Sequence, residues 1–363
     1  MTLALQLAEQ GLYTTTPNPR VGCVIVKNNR IIGQGAHLKA GEPHAEVLAL
    51  RTAGERAKGA DVYVTLEPCN HHGRTPPCVD ALIQAGVGRV VVAMQDPNPL
   101  VAGNGVKRLQ ASGIQVEVGL MESVAFNLNS GFIARMTCGL PYVRCKIAAS
   151  LDGRTALNNY QSQWITGEAA RADVQHWRAQ SCAIITGIGT VLADNPSMNV
   201  RLSDISRQPL RVIVDSQLQT PPDCKLLSTS HPQSAPVLIA YANDANQQQQ
   251  SLMAKGVRLL QLPNQNGNVD LTALLATLAQ QGVNEVLLEA GQGLNGAFLQ
   301  AGLIDELILY YAPKLMGTDA KGMFAVPELT NMQQVTHLQI IDVRQFGQDI
   351  RLRAKLKKVK RSI

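Results

Sequence analysis

The spacing of hydrophobic positions changes repeatedly along the chain, and each change marks an element. Residues 2–11 carry an amphipathic helical pattern that stops at Gly11. Thr16-Pro17-Asn18-Pro19 is a rigid turn. It opens into an apolar run at 21–26, a buried strand that Asn28-Asn29 folds back into a partner at 30–33. Residues 44–57 return to helical spacing, with Val47, Leu48 and Leu50 on the apolar side. Strands follow at 61–66, 89–94 and 114–118, with helices at 79–85 and 106–111 between them and one more helix at 122–136. This alternation predicts a layered α/β domain. Gly139-Leu140-Pro141 stops the last helix and starts something new, which places a boundary near residue 140. Beyond it, strand patterns at 142–148, 183–187, 210–215, 237–240, 258–262 and 286–290 alternate with helical stretches such as 168–179 and 271–280. The last strands, 307–315, 338–344 and 350–356, have no helices between them and predict an antiparallel edge on a mixed sheet. No internal repeat is visible; residues 247–250 form a short glutamine patch, an exposed helix start or loop.

Length agrees with this division, since 363 residues make about two domains of ~100–200 residues each. The formal charge of +6 suggests a polyanion partner until its placement is considered. Lys355, Lys357, Lys358, Lys360 and Arg361 carry five of those charges at the C-terminus, a solvated end, so the remainder is near neutral. Aromatic residues make up only 4%, too few for stacking on single strands, which disfavours a nucleic-acid partner. Seven cysteines, mostly isolated, fit a reducing cytoplasm and no disulfide framework. The N-terminus lacks the basic start and unbroken apolar stretch of a signal peptide, and no run of 18 apolar residues exists, so no membrane association is expected.

Three stretches carry the chemistry of the first half: His44-Ala45-Glu46, Pro68-Cys69 and Pro76-Pro77-Cys78. One imidazole and two thiols make a three-ligand zinc set, which leaves one tetrahedral position open for water. The metal lowers that water's pKa to about 7. Glu46, two residues from His44, is placed to carry protons without touching the metal. Zinc deaminases show H-x-E followed by P-C-x-x-C. Here eight residues separate Cys69 from Cys78 instead of two. Both Pro68-Cys69 and Pro77-Cys78 suit the first turn of a helix. His71 and His72 lie in the intervening loop as rival ligands, and either would close a purely structural site of four ligands. Asn18, at the mouth of the first strand, can read a ring edge or simply form a turn.

In the second half, the strand at 286–290 runs into Gly291-Gln292-Gly293-Leu294-Asn295-Gly296-Ala297, a G-x-G-x-x-G before a helix. Glycines let backbone approach phosphate oxygens, and a helix N-terminus favours their charge. The alternative is a tight turn. The next strand ends Tyr310-Tyr311-Ala312-Pro313-Lys314, without the acid that would hold an NAD ribose, which leaves NADP open.

Together these stretches resemble the bifunctional riboflavin-biosynthesis deaminase/reductase family. The first half matches it through Asn18-Pro19-Arg20-Val21-Gly22, His44-Ala45-Glu46 and Pro68-Cys69-Asn70-His71-His72-Gly73-Arg74-Thr75-Pro76-Pro77-Cys78. That family has the longer cysteine spacing, unlike cytidine and tRNA adenosine deaminases. The second half matches through Lys146-Ile147-Ala148-Ala149-Ser150-Leu151-Asp152-Gly153-Arg154, Ser162-Gln163-Trp164-Ile165-Thr166, the stretch from Thr186 to Pro196, and Glu289-Ala290-Gly291-Gln292-Gly293. The resemblance covers nearly the whole chain, although the family usually has a few more residues before the first helix.

The resemblance implies an α/β protein with a cytidine-deaminase-like three-layer domain at 1–140 and a dihydrofolate-reductase-like domain at 141–363. It implies Zn²⁺ on His44, Cys69 and Cys78, Glu46 as proton carrier, and Asn18 and Arg74 near substrate, Arg74 on a phosphate. It implies NADPH against Ala148, Trp164, Thr190, Asp194, Ser216 and residues 291–297. Ser162, Arg178, Met198, Arg201 and Glu289 would face a phosphoribosylated pyrimidine. The planar forks of Arg178 and Arg201 suit a ribose phosphate, and Trp164 can cover a ring. Lys146 falls on the first strand of this domain, as a candidate acid or an outward-facing residue. The expected reaction is hydrolytic deamination of a diaminopyrimidinone, then reduction of its ribosyl group to ribityl, in a homo-oligomer, expected to be a dimer. The rival readings are a nucleic-acid base deaminase with an accessory domain, a zinc module that only scaffolds a reductase, and a reductase acting on a pterin-like ring.

Overall fold

The computed structural model describes residues 1–71, 76–98, 101–203, 205–228 and 235–357. Two compact units divide the chain, Met1–Leu140 and Pro141–Ile363. Among the described residues no helix is long and apolar enough to cross a membrane.

The first unit is built on a five-stranded sheet in the order β2-β1-β3-β4-β5. Strands β1 (Gly22–Lys27) and β2 (Arg30–Ala36) form a hairpin. Its two-residue turn puts Asn28 and Asn29 at φ 51° and 57°, the twist such hairpins need. β3 (Asp61–Val64) pairs antiparallel with β1, and β4 (Arg89–Val92) and β5 (Gln115–Val118) continue in parallel. Helix α1 (Thr2–Glu9) covers one face, where Ala4, Leu7, Val24 and Ala36 cluster. Helix α2 (Ala45–Ala53) packs on β1 and β2, with Ala45 and Ala49 in one cluster with Cys23 and Ile25. The result is three layers. Contact of α2 with β2 depends on two glycines: a Cβ on Gly33 would fall 2.2 Å from the Ala49 carbonyl, and one on Gly35 2.3 Å from that of Ala45. Helices α3 (Cys78–Gln84) and α4 (Asn104–Ala111) follow β3 and β4.

Two expectations change here. Pro68-Cys69 opens no helix; Cys69 stays in the loop after β3, with its carbonyl accepting the Val79 N–H at 3.2 Å. Residues 122–136 form two helices, α5 (Glu122–Leu128) and α6 (Ser130–Cys138). Asn129 breaks them because Arg20 claims its side chain: the Arg20 N–H donates to Oδ1 at 2.8 Å, and Nδ2 donates to the Arg20 carbonyl at 3.0 Å.

The second unit holds a nine-stranded sheet in the order β10-β9-β8-β7-β11-β6-β12-β14-β13. Its parallel part runs through β6 (Tyr142–Ser150), β7 (Ala183–Gly187), β8 (Leu210–Val214), β9 (Val237–Tyr241), β10 (Arg258–Gln261), β11 (Glu285–Leu288) and β12 (Glu306–Ala312). Apart from the edge strand β10, these strands are largely buried on both faces, as doubly covered parallel strands are. Helices α7 (Glu168–Gln180), α8 (Ile188–Asp194), α9 (Gln249–Ala254), α10 (Leu271–Gln280) and α11 (Gln292–Gln300) supply connections. The antiparallel edge is β14 (Asp349–Leu356) beside β12, then β13 (Leu338–Phe346). Lys355 is inside β14, opposite Glu306, so the basic C-terminal run begins within the sheet; residues 358–363 lie outside the described residues. β11 sits between β6 and β7, so chain order reverses there. Crevices of this kind at the carboxyl ends of parallel strands hold ligands.

Candidate functional site

The first site forms where two helices begin. His44 caps α2 with extended backbone, and Cys78 is the first residue of α3. The Cys69 loop lies against both. His44 Nδ1 is 3.2 Å from Cys78 Sγ and 3.6 Å from Cys69 Sγ, and the Cys78 N–H donates to Cys69 Sγ at 3.3 Å. The three donor atoms lie within 4.8 Å of one another, the only such group of three or more among the described residues. His71 does not join them, and His72 lies outside the described residues. Hydrogen bonding to Cys78 pulls the Cys69 thiol down to about 4, while the bond to Cys69 and burial push Cys78 up. One imidazole nitrogen and two sulfurs this close together suit a soft divalent cation. This donor set fits Zn²⁺.

Glu46 stands in the first turn of α2 and is 3% exposed. Burial, followed by the charge at Cys69, pushes its carboxyl up to about 7, so it can take up and release a proton near neutrality. Asn18 reaches this site through a residue that sequence reasoning missed. Its Nδ2 lies 3.0 Å from Nε2 of the buried His37, whose Nδ1 lies 3.2 Å from the Pro43 carbonyl. A carbonyl only accepts, so Nδ1 carries the proton and Nε2 accepts from Asn18. The His37 ring meets that of His44 edge-on at 5.1 Å. No motif marks His37; its place on the chain between β2 and α2 was the only signal. Arg74 lies outside the described residues.

The second site is an open cleft of about 1540 Å³ at the carboxyl ends of the parallel strands. Ala148, Ser162, Trp164, Arg178, Thr190, Asp194, Met198, Arg201, Ser216, Glu289, Gly291, Gln292, Gly293, Leu294 and Ala297 all line it. Asn295 and Gly296 do not: Asn295 is buried and donates to the Ala290 and Met323 carbonyls. A Cβ on Gly296 would fall 2.0 Å from the Ala325 carbonyl. The third glycine of the motif thus serves close packing, while Gly293 faces open space.

An ion group organises the cleft. Arg178 donates to both oxygens of Glu289, at 2.6 and 3.0 Å, and to the Asn199 carbonyl at 3.2 Å. Lys146 lies 3.5 Å from the same carboxylate and faces the cleft, not outward. Burial alone would raise Glu289, but Arg178 and Lys146 outweigh it and hold the carboxyl at about 2. The Arg178 fork expected on a phosphate is thus largely committed to Glu289, whereas Arg201 is exposed. Ser162 donates to Asp194 at 3.0 Å. Trp164 is 64% exposed, with the Arg171 guanidinium 4.7 Å from its ring centre. Arg171 was not foreseen, because a lone arginine on a helix carries no sequence signal.

Comparison with known proteins decides the family. The cytidine and deoxycytidylate deaminase zinc-binding region matches residues 1–94, and the RibD C-terminal domain matches residues 141–352. The riboflavin biosynthesis protein RibD of Escherichia coli is 50% identical over 362 residues, 96% of each chain. The chain belongs to the RibD family. RibD of Haemophilus influenzae is 46% identical, covering 97% of this chain and 95% of its own. A solved Acinetobacter baumannii RibD superposes with a TM-score of 0.88 at 50% identity, covering 98% of this chain and 97% of its own. A Thermotoga maritima diaminohydroxyphosphoribosylaminopyrimidine deaminase/5-amino-6-(5-phosphoribosylamino)uracil reductase superposes with 0.87 at 31% identity, over 98% and 97%. As a RibD, this chain is a bifunctional deaminase and reductase of riboflavin biosynthesis, with zinc and NADPH as its cofactors. Its two folds are the deaminase-like and RibD-reductase folds expected, and the reading as a nucleic-acid deaminase with an accessory domain is not favoured.

Proposed function

We propose that residues 1–140 carry the deaminase and residues 141–363 the reductase, acting in that order on one phosphoribosylated pyrimidine. The observation that carries the first half is the convergence of His44, Cys69 and Cys78 beside the buried Glu46. In this reading those three hold the metal, through Nδ1 of His44 and the two sulfurs. Zinc, when bound, supplies the acidity that activates water for attack on the amino-bearing ring carbon. Glu46 carries one proton from that water to the ring nitrogen, and then the second, from the new hydroxyl, to the leaving amine as the C–N bond breaks. Its raised pKa matches both duties near neutrality. The balance is one water consumed and one ammonia released as the diaminopyrimidinone becomes a pyrimidinedione. Asn18, oriented by His37, presents an amide to the ring edge.

In the second unit NADPH, when bound, supplies the hydride. Gly291 and Gly293 let its phosphates approach the start of α11, and Trp164, Thr190, Asp194 and Ser216 line its path. Lys146 and Arg178 are held in place by Glu289, and Arg201 presents a guanidinium to the substrate phosphate. The sugar carbon gains hydride, and a proton completes ribityl formation. We place the enzyme in the cytoplasm, in line with seven free cysteines. We also propose a homodimer, which the exposed apolar edge of β13 favours (Ile340 60% and Val343 57% exposed).

The test follows ammonia and NADPH together in zinc-loaded protein. Ammonia is expected with or without NADPH, and NADPH oxidation only once deaminated product exists. No ammonia from the zinc-loaded chain would overturn the first assignment, and no oxidation with authentic pyrimidinedione the second.

A further inference from the structure

Glu67 lies two residues before Cys69, is 4% exposed, and takes no part in the chemistry above. Its carboxylate accepts four backbone N–H groups. Oε2 takes Asp96 at 3.1 Å and Gly103 at 2.9 Å; Oε1 takes Gly105 at 2.9 Å and Val106 at 3.2 Å. An ionised carboxylate has about four acceptor sites, so the whole set is filled. Three of these amides belong to the start of α4, where helical N–H groups lack partners within the helix. A Cβ on Gly105 would fall 2.3 Å from the Pro68 carbonyl, so α4 begins in direct contact with the Cys69 loop. One turn further, Arg108 donates to Asn70 Oδ1 at 2.7 Å and pairs with Asp80 of α3. Helix α4 is therefore tied to the residues flanking Cys69 and to the helix that begins with Cys78. The same segments line a polar cavity of about 310 Å³ with Asn70, His71, Asn98, Val101 and Asn104.

We propose that Glu67 is a positioning residue of the deaminase site. Its four amide bonds lock residues 96–98 and 101–106 against the Cys69 loop and so fix the polar cavity wall on which the pyrimidine's polar substituent seats. The inference rests on the deaminase reading of the first unit. Glu67→Gln tests it, because an NH₂ replaces one acceptor oxygen and faces two N–H donors. Hydrogen exchange is expected to speed up at Asp96, Gly103, Gly105 and Val106, and nowhere in the second unit. The deaminase KM is expected to rise on the order of tenfold or more, while kcat changes less, the mark of lost substrate seating. Zinc content and reduction of the pyrimidinedione stay at the unsubstituted level. Gly105→Ala displaces α4 without touching a charge, gives the same KM rise, and decides the matter if Glu67→Gln does not fold. Wild-type KM in a variant whose amides have lost protection would overturn the proposal, as would a parallel fall in reductase activity. An unsubstituted chain that releases no ammonia would instead sink the deaminase reading itself.

Discussion

The metal centre draws its working side chains from residues 44–78, whereas the cleft of the second unit gathers its lining from residues 146–325. They also balance charge differently. The first gathers one imidazole and two thiols beside a buried carboxyl raised to about 7, a donor set that suits a soft cation from outside. The second supplies its own counter-charges, with Glu289 clamped between Arg178 and Lys146. One site should therefore depend on metal for both activity and integrity, and the other on pH.

Metal removal gives the largest expected effect. Chelation should abolish ammonia release and leave reduction of the pyrimidinedione intact. Readdition of zinc at a thousandfold over its dissociation constant should stabilise the first unit by about 4 kcal/mol, measurable by calorimetry. Equal loss of both activities would erase the contrast between the sites.

Glu289→Gln sharpens it from the other side. Removing one partner of a buried pair leaves Arg178 and Lys146 uncompensated, at a cost of roughly 3–5 kcal/mol. The sign of the pH effect is set by the depressed carboxyl. Held at about 2 in the folded chain against 4.5 in the unfolded, it contributes roughly 3 kcal/mol at neutral pH. That contribution is lost as pH falls from about 5 towards 2. Acid unfolding of the second unit should thus be steeper in the natural chain than in Glu289→Gln.

Asn129→Ala should cost the first unit about 1–3 kcal/mol, because it strips two buried hydrogen bonds from the Arg20 backbone. The reductase should not notice. The smallest effect belongs to Arg201→Ala, which under the proposed phosphate contact of this exposed fork should raise the reductase KM with little change in kcat.

The same difference in chain separation explains how much could be read without coordinates. His44, Glu46, Cys69 and Cys78 stand out by residue type and spacing, so the donor cluster that the structure brings together was visible at once. Most strands and helices were also visible, because period 2 and period 3.6 are local properties. Long-range claims on a side chain were not. Asn129 looks like an ordinary helical residue until Arg20, 109 positions away, takes its amide. Arg178 looked like a phosphate fork because its partner, Glu289, lies 111 positions downstream. Gly296 matched a phosphate motif, yet it answers to the backbone of Ala325. His37 and Glu67 act through hydrogen bonds that no spacing announces.

The most direct measurement uses Glu46→Gln protein, loaded with zinc, and compares its two substrates. With the diaminopyrimidinone, ammonia release should fall on the order of 10²–10⁴-fold, as expected for a lost proton carrier. With authentic pyrimidinedione, NADPH oxidation should run at the unsubstituted rate. Full-rate ammonia release with zinc retained, or a matching loss of reduction, would contradict the assignment of two independent sites with Glu46 at the heart of the first.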